Sequence, residues 1–288
     1  DGKVSKDSEW NYRSVSGVLP TWRWWQKSTG DKLKASYDFE DAYNGGTSLK
    51  FAGDLSGATK QDVNLYSTRL KVTDTTKLHV AHKGGKGTKV YVEFATKKDY
   101  TYGDEAARKE LTVSDNWTTD DFDLSALAGK TIYGIKLYFE NDKDLKGYKF
   151  NLGQLTISNN QDAPQAPTTV AVAKQVLKNA QEAEAVVQFK GNKDADFYEV
   201  YEKDGGSWKL LTGSSSTTIY LPKVSRSASA QGTTQELKVV AVGKNGVRSE
   251  AAITTFDWGM TVKDTSLPKP LAENIVPGAT VIDSTFPK

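Results

Sequence analysis

Apolar and polar residues alternate along most of this chain with a period of two. In TKVYVEFAT the pattern puts Val90, Val92 and Phe94 on one face of a strand, and TIYGIKLYFE repeats it with Ile135, Leu137 and Phe139 inward. TSLKFAGDL, KLHVAHK and KFNLGQLTISN read the same way, with YNGG at 43–46 and GGKG at 84–87 as turns. One short stretch, DEAARKEL at 104–111, carries a helical signal. Residues 1 to about 30 show no period and read as an irregular opening segment. Many short strands with turn signals between them predict a β-sandwich over residues 1–160.

A second unit follows. NNQDAPQAP places two prolines among small polar residues, so 161–167 reads as a linker. Beyond it, VAVAKQV and AEAVVQFKG are strands, and ADFYEVYEKDGGSWKLL is a hairpin turning at Gly205 and Gly206. TTIYLPKV and QELKVVAVGKNGVRS complete a set of short strands that suits a small immunoglobulin-like sandwich over 168–258. After Trp258 the period stops, and three of the eight prolines fall between Pro268 and Pro277. Residues 259–288 therefore read as an extended tail that lies along a surface or leads to another domain.

Composition narrows the function. With 38 basic and 36 acidic residues the formal charge is +2, and no dense basic patch occurs, so nucleic acid is not an expected partner. No apolar run reaches the roughly 18 residues of a membrane span. There is no cysteine, which removes disulfides, thiolate zinc and cysteine nucleophiles. That usage fits a secreted bacterial protein. No signal peptide opens the chain, so the expectation is that it was removed or that this is a piece of a longer protein.

The chemistry of a self-sufficient enzyme is missing from the pattern. The two histidines, His79 and His82, are three apart on one strand, so they face opposite ways and cannot share a metal. No HExxH, GxSxG, P-loop or dinucleotide fingerprint occurs. In DNWTTDDFDLS, Asp121 and Asp123 share a strand face, so a paired-acid site is conceivable; a solvated sheet edge is the favoured reading. No catalytic residue is assigned, and no cofactor is required by any motif.

Several segments together resemble a known family. VSGVLPTWRWW followed by YDFEDAYNGGTSLKFAGDL looks like the region after the catalytic barrel of glycoside hydrolase family 85. SDNWTTDDFDLSALAGKTIYGIKLYF, YEVYEKDGGSWKLLTGSS and VVAVGKNGVRSEAA add to the resemblance, which covers about residues 10 to 258. These enzymes are endo-β-N-acetylglucosaminidases that cleave the chitobiose core of N-glycans from a (β/α)8 barrel. Repeated βα units are absent here, so the family's catalytic pair has no matching positions. The resemblance implies an all-β chain: a galactose-binding-like jelly roll, then an immunoglobulin or fibronectin III-like sandwich. It implies an accessory region that buttresses the barrel of the same protein and contacts N-glycans of glycoproteins. It implies an extracellular place, secreted or attached to the bacterial cell wall. An autonomous carbohydrate-binding module and a surface adhesin are the alternatives.

Candidate contacts follow. Three tryptophans crowd LPTWRWW: Trp22 and Trp24 share one strand face, Arg23 and Trp25 the other. Aromatic residues on both faces favour packing, in a core or against the barrel, so Trp22, Arg23 and Trp24 are docking candidates. Direct sugar stacking remains the third reading, with Trp25 its candidate. In KKDYTYGDE, Tyr100 and Tyr102 stand among charged loop residues, the composition a sugar site uses. Trp117 is expected in the core at a strand start, and Trp208 packed across its own sandwich. Galactose-binding-like sandwiches often hold a structural calcium, and FEDAYNGGTS offers Glu40, Asp41 and Asn44 as oxygen ligands. The last-strand position expected to be acidic reads Gln154, which weakens that site.

Overall fold

Eleven strands, all antiparallel, build the first sandwich of the computed structural model, which describes residues 3–4, 12–15, 33–43, 47–57, 60–179, 182–227 and 232–259. They are β1 (Lys3–Val4), β2 (Tyr12–Val15), β3 (Lys34–Asp38), β4 (Ser48–Leu55), β5 (Lys60–Lys71), β6 (Lys77–Gly84), β7 (Lys89–Ala95), β8 (Arg108–Glu110), β9 (Ser114–Asp123), β10 (Thr131–Glu140) and β11 (Leu145–Ser158). In sheet I, the long β11 is central. One side pairs with β6, which carries β9 outside it; the other pairs first with β4 and then with β2. Sheet II runs β5-β10-β7-β8. The period-two pattern does what it predicts. Val90, Val92, Phe94, Ile135, Leu137 and Phe139 point between the sheets and meet Phe51, Phe150 and Leu152 from sheet I. Each of these large side chains contributes about 1.5–3 kcal/mol on burial, which makes the first sandwich a jelly roll with one continuous core.

Among the described residues the second sandwich has seven strands: β12 (Thr168–Asn179), β13 (Glu182–Lys190), β14 (Ala195–Asp204), β15 (Ser207–Ser214), β16 (Thr218–Ser227), β17 (Thr234–Gly243) and β18 (Ala252–Asp257). Sheet III is β12-β13-β16 and sheet IV is β15-β14-β17-β18, a three-on-four fibronectin III-like arrangement. Ala183, Ala185, Val187, Val200, Leu237, Val239 and Trp258 fill its core. The segment between the sandwiches is pinned down: Asn245 Nδ2 donates to the carbonyls of Asn160 at 3.1 Å and Asp162 at 2.9 Å.

Four expectations change. Residues 1–30 are not wholly irregular, because Tyr12–Val15 pairs with Leu155–Ser158 of β11. DEAARKEL forms only a 3-10 turn at Glu105–Ala107, capped by Asp104, before Arg108 joins sheet II. So short a helix is marginal, and strand pairing with β7 overrides it. Trp117 lies on β9 but faces the second sandwich rather than the jelly-roll core, clustering with Tyr43, Ala81, Phe197 and Val242. Trp208 sits on the outer face of sheet IV beneath Lys238, 5.0 Å from its ring, and not across its own core. The core tryptophan of that sandwich is Trp258.

Candidate functional site

Alternation fixes not only what points inward but what is left outside sheet II. Tyr91 and Glu93 of β7 and Gly134, Lys136 and Tyr138 of β10 face outward, and β8 brings Arg108 alongside. The Arg108 guanidinium lies between the Tyr91 ring, 4.8 Å away, and the Tyr138 ring, 4.7 Å away. Its ion pair with Glu93 is long, 3.5 Å. Lys136 Nζ holds Asp62 at 2.9 Å and Glu93 at 3.2 Å and lies 4.3 Å over the Tyr102 ring. Glu93 Oε2 is the oxygen that faces this ammonium, Asp62 Oδ1 has no hydrogen-bond donor among the described residues, and both oxygens are enclosed. The face therefore presents a partly exposed guanidinium whose N–H groups are not used up among the described residues, above carboxylate oxygens that are closed off from solvent.

The loop with Tyr100 and Tyr102 folds across this face. Gly134 makes room: a Cβ there would lie 2.4 Å from the Tyr102 hydroxyl and 3.1 Å from the Tyr100 ring. Tyr100, at a left-handed φ of 59°, keeps 41% of its surface exposed. Tyr102 is mostly covered. Burial, then the charges of Glu93 and Asp62, push its hydroxyl pKa up, so it stays a neutral donor at any physiological pH. The structure thus brings both tyrosines to one site and adds Arg108, Lys136, Glu93, Tyr91 and Tyr138. The sequence signal for the last four was the outward half of the alternating strands.

The FEDAYNGGTS loop is arranged differently from a cation site. Asp38 accepts the backbone N–H groups of Glu40 and Asp41 at 3.2 and 3.1 Å, and the Asn151 amide at 3.1 Å. Lys149 and Lys50 approach it at 3.3 and 3.6 Å. Burial raises its pKa, but the Asn151 amide, the Asp41 N–H and Lys149 together hold it well below the usual carboxylate range. Asp41 takes Lys83 Nζ at 2.6 Å and Trp117 Nε1 at 2.9 Å. Both carboxylates are therefore held by donors, and these residues as placed do not fit a calcium ion. No group of three His, Asp or Glu side chains suited to a metal occurs among the described residues. Asn151, not Gln154, stands opposite the loop on the last strand; Gln154 bonds Thr156. Glu40 is exposed, and Asn44 lies outside the described residues.

The remaining singled-out residues meet between the sandwiches or apart. His82 points into the jelly roll, stacked on Phe150 at 5.7 Å and bonded to Asp120 at 2.8 Å. His79 faces the opposite way and bonds Asp121 at 2.6 Å. Asp121 and Asp123 form no acid pair: Asp121 also meets Arg248 at 3.5 Å, while Asp123 accepts the Ser125 N–H at 2.7 Å. Across the junction, Glu199 is fully buried and accepts from Tyr43 Oη, Tyr201 Oη and two nitrogens of Arg248. Gly153, at a register shift in β11, leaves the space that Tyr43 and Trp117 fill. Trp22, Arg23, Trp24 and Trp25 lie outside the described residues.

A jelly roll joined to a fibronectin III-like sandwich through one buried polar knot defines the class: a fixed pair of β-sandwich modules. Residues 167–260 match the family model of the C-terminal domain of GH85 endohexosaminidases. The chain is 77% identical, over 91% of its length, to the crystal structure of the Spr0440 glycoside hydrolase domain, Endo-D, from Streptococcus pneumoniae R6, with a TM-score of 0.57. It spans 42% of that chain. A family 11 carbohydrate-binding module from Clostridium thermocellum matches 51% of this chain and 95% of its own at 13% identity, TM-score 0.35. An Fn3-like protein from Clostridium thermocellum matches 32% of this chain and 92% of its own at 26% identity, TM-score 0.23. A comparison with curated proteins gave no match. The chain thus matches the C-terminal domain of GH85 endohexosaminidases over residues 167–260, and over nearly all of its length it is similar to part of the Endo-D glycoside hydrolase structure.

Proposed function

We propose that this chain is the non-catalytic accessory region of a secreted endo-β-N-acetylglucosaminidase that cleaves the chitobiose core of N-glycans. The observation that carries the reading is the 77% identity to the Endo-D glycoside hydrolase structure across nearly the whole chain. Its physical work is to buttress the catalytic (β/α)8 barrel of the same protein. The buried Glu199–Arg248 knot supports this, since a buttress must not hinge. Docking through Trp22, Arg23 and Trp24 is part of the proposal and rests on their two-faced pattern. The outer face of sheet II contacts glycan, with Tyr100 and Tyr138 as ring surfaces and Arg108 as donor; a partly exposed guanidinium beside an exposed aromatic ring suits the hydroxyls and ring faces of a sugar. Trp25 stays a sugar-contact candidate within that proposal. An extracellular place, secreted or cell-wall attached, fits the cysteine-free composition.

The test is reconstitution. The barrel of a GH85 enzyme, expressed without this region, is mixed with the chain, and release of the trimannosyl-core glycan from a glycoprotein is measured. Restored hydrolysis that is lost with Trp22→Ala/Trp24→Ala supports the buttress. Hydrolysis by the chain alone, or a barrel indifferent to the chain, overturns it. Calcium is an added arm: chelator that leaves the melting temperature unchanged agrees with Lys83 on Asp41, and a large drop reverses that placement.

A further inference from the structure

A cavity of about 550 Å3 opens at the loop end of the jelly roll, away from the sheet II face. The β6–β7 turn makes one wall and the segment from Lys143 to Lys149 the other. Its glycines are required there. Gly84 and Gly87 have φ of 88° and 90°, and a Cβ on them would lie 2.4 Å from the Lys149 carbonyl and 2.7 Å from Leu145. The turn backbone can therefore lie flat beside Leu145, leaving an apolar strip within a charged rim.

The rim is cationic. Lys83, Lys86, Lys143, Lys146 and Lys149 line the cavity against two acids, Asp41 and Asp115. Including the outside partners Asp38, Asp54 and Lys50 makes six lysines against four aspartates. Asp41 is already held by Lys83, and Asp144 turns away to the Gly57 N–H at 2.6 Å. Lys86 and Lys146 are exposed, 3.9 Å from Asp115 and 3.3 Å from Asp54, and Lys143 has no carboxylate partner among the described residues. The neighbouring cavity is balanced, with Lys60 and Lys89 facing Glu140 and Asp142.

We propose that this cavity binds one acidic sugar residue, its carboxylate among Lys86, Lys143 and Lys146 and its ring beside Leu145. Lysines recognise an anion as point charges without fixed geometry, which a flexible rim allows. The volume lies within the range of small-ligand sites and well above that of a single inorganic anion. The charge part of the proposal stands by itself; the sugar part rests on the glycan-contacting reading, at a different site.

The experiment titrates the whole chain by calorimetry with 3′-sialyllactose, with lactose as the neutral counterpart and with inorganic phosphate. The expected result is saturable 1:1 binding of sialyllactose alone. Affinity falls at least about tenfold in Lys143→Gln/Lys146→Gln and weakens as salt rises from about 50 to about 500 mM. Lys60→Gln/Lys89→Gln, at the balanced cavity, leaves it unchanged. Melting curves confirm that each variant is folded, which these exposed positions permit. Equal binding of lactose, no heat, or an unchanged affinity in the Lys143/Lys146 variant overturns the proposal. Phosphate binding that sialyllactose does not compete with overturns the sugar class. Loss of sialyllactose in Arg108→Gln instead moves the site to sheet II and overturns the cavity, whereas loss of neutral glycan alone in Arg108→Gln leaves it standing.

Discussion

Glu199 and Glu93 are a matched pair with different neighbours. Each lies on the outward face of a central strand, at 0% and 1% exposure, and each meets an arginine. Glu199 has four donors, two tyrosine hydroxyls and two guanidinium nitrogens, and the other sandwich covers it. Glu93 has an ammonium at 3.2 Å on Oε2 and a guanidinium at 3.5 Å on Oε1, both looser than the contacts Arg248 makes with Glu199. A buried carboxylate is costly unless its acceptor sites are filled. The filled one locks two domains. The more loosely held one lies beneath a partly exposed arginine, the group on which the proposed glycan contact relies. The difference between the joint and the proposed contact face lies in how closely the carboxylate is held, not in residue type.

Breaking the joint should cost most. Arg248→Met leaves Glu199 buried without its cation and should destabilise the chain by about 3–5 kcal/mol, read from denaturant unfolding. Glu93→Gln should cost only about 1 kcal/mol, because Lys136 keeps Asp62. Comparable losses in the two variants would erase the contrast. Gly153→Val tests the joint from the other side. A Cβ there sits 2.5 Å from Tyr43 and 2.7 Å from Trp117, so overpacking should cost about 1–3 kcal/mol and expose the Trp117 ring to a fluorescence quencher.

Acid sharpens the comparison further. At Asp121 burial alone would raise the pKa, but the His79 hydrogen bond and the Arg248 charge lower it below 3.8. Asp38 is lowered too, against burial, by Asn151, the Asp41 N–H and Lys149. A carboxylate whose folded pKa is depressed contributes stability above its unfolded value and loses it as pH falls through the folded one. The melting temperature should therefore hold down to about pH 4 and drop below it, with Asp121→Asn flattening part of the drop. A drop centred near neutrality would contradict this. The smallest effect is expected at Arg108→Gln: under about 1 kcal/mol of stability, since the side chain is a third exposed.

What the sequence made legible follows from what each signal measures. Alternation reports which side of a strand is apolar, so Val90, Val92, Phe94, Ile135, Leu137 and Phe139 were assigned to the core correctly. The same alternation does not say what a second sandwich covers. Trp117 was expected in its own core because a buried tryptophan reads alike in a core and in a joint; the structure puts it in the joint. Trp208 is half-buried, with the ammonium groups of Lys203 and Lys238 over its ring, and periodicity cannot separate that from core burial. Tyr100 and Tyr102 were visible as loop aromatics. Arg108 was not, because DEAARKEL looked helical and hid a short β-strand that forms only by pairing with the preceding strand, Arg108 opposite Glu93. The joint's Glu199 and Arg248 were invisible too: ion pairs 49 residues apart leave no local pattern.

The most direct measurement is calorimetric titration of the chain with the free trimannosyl-core N-glycan, beside Arg108→Gln. The account predicts saturable heat with the native chain and at least about tenfold weaker binding in Arg108→Gln, with the melting temperature nearly unchanged. No heat with the native chain, or equal affinity in the variant, would contradict the claim that the sheet II face is open to a ligand where the joint is closed.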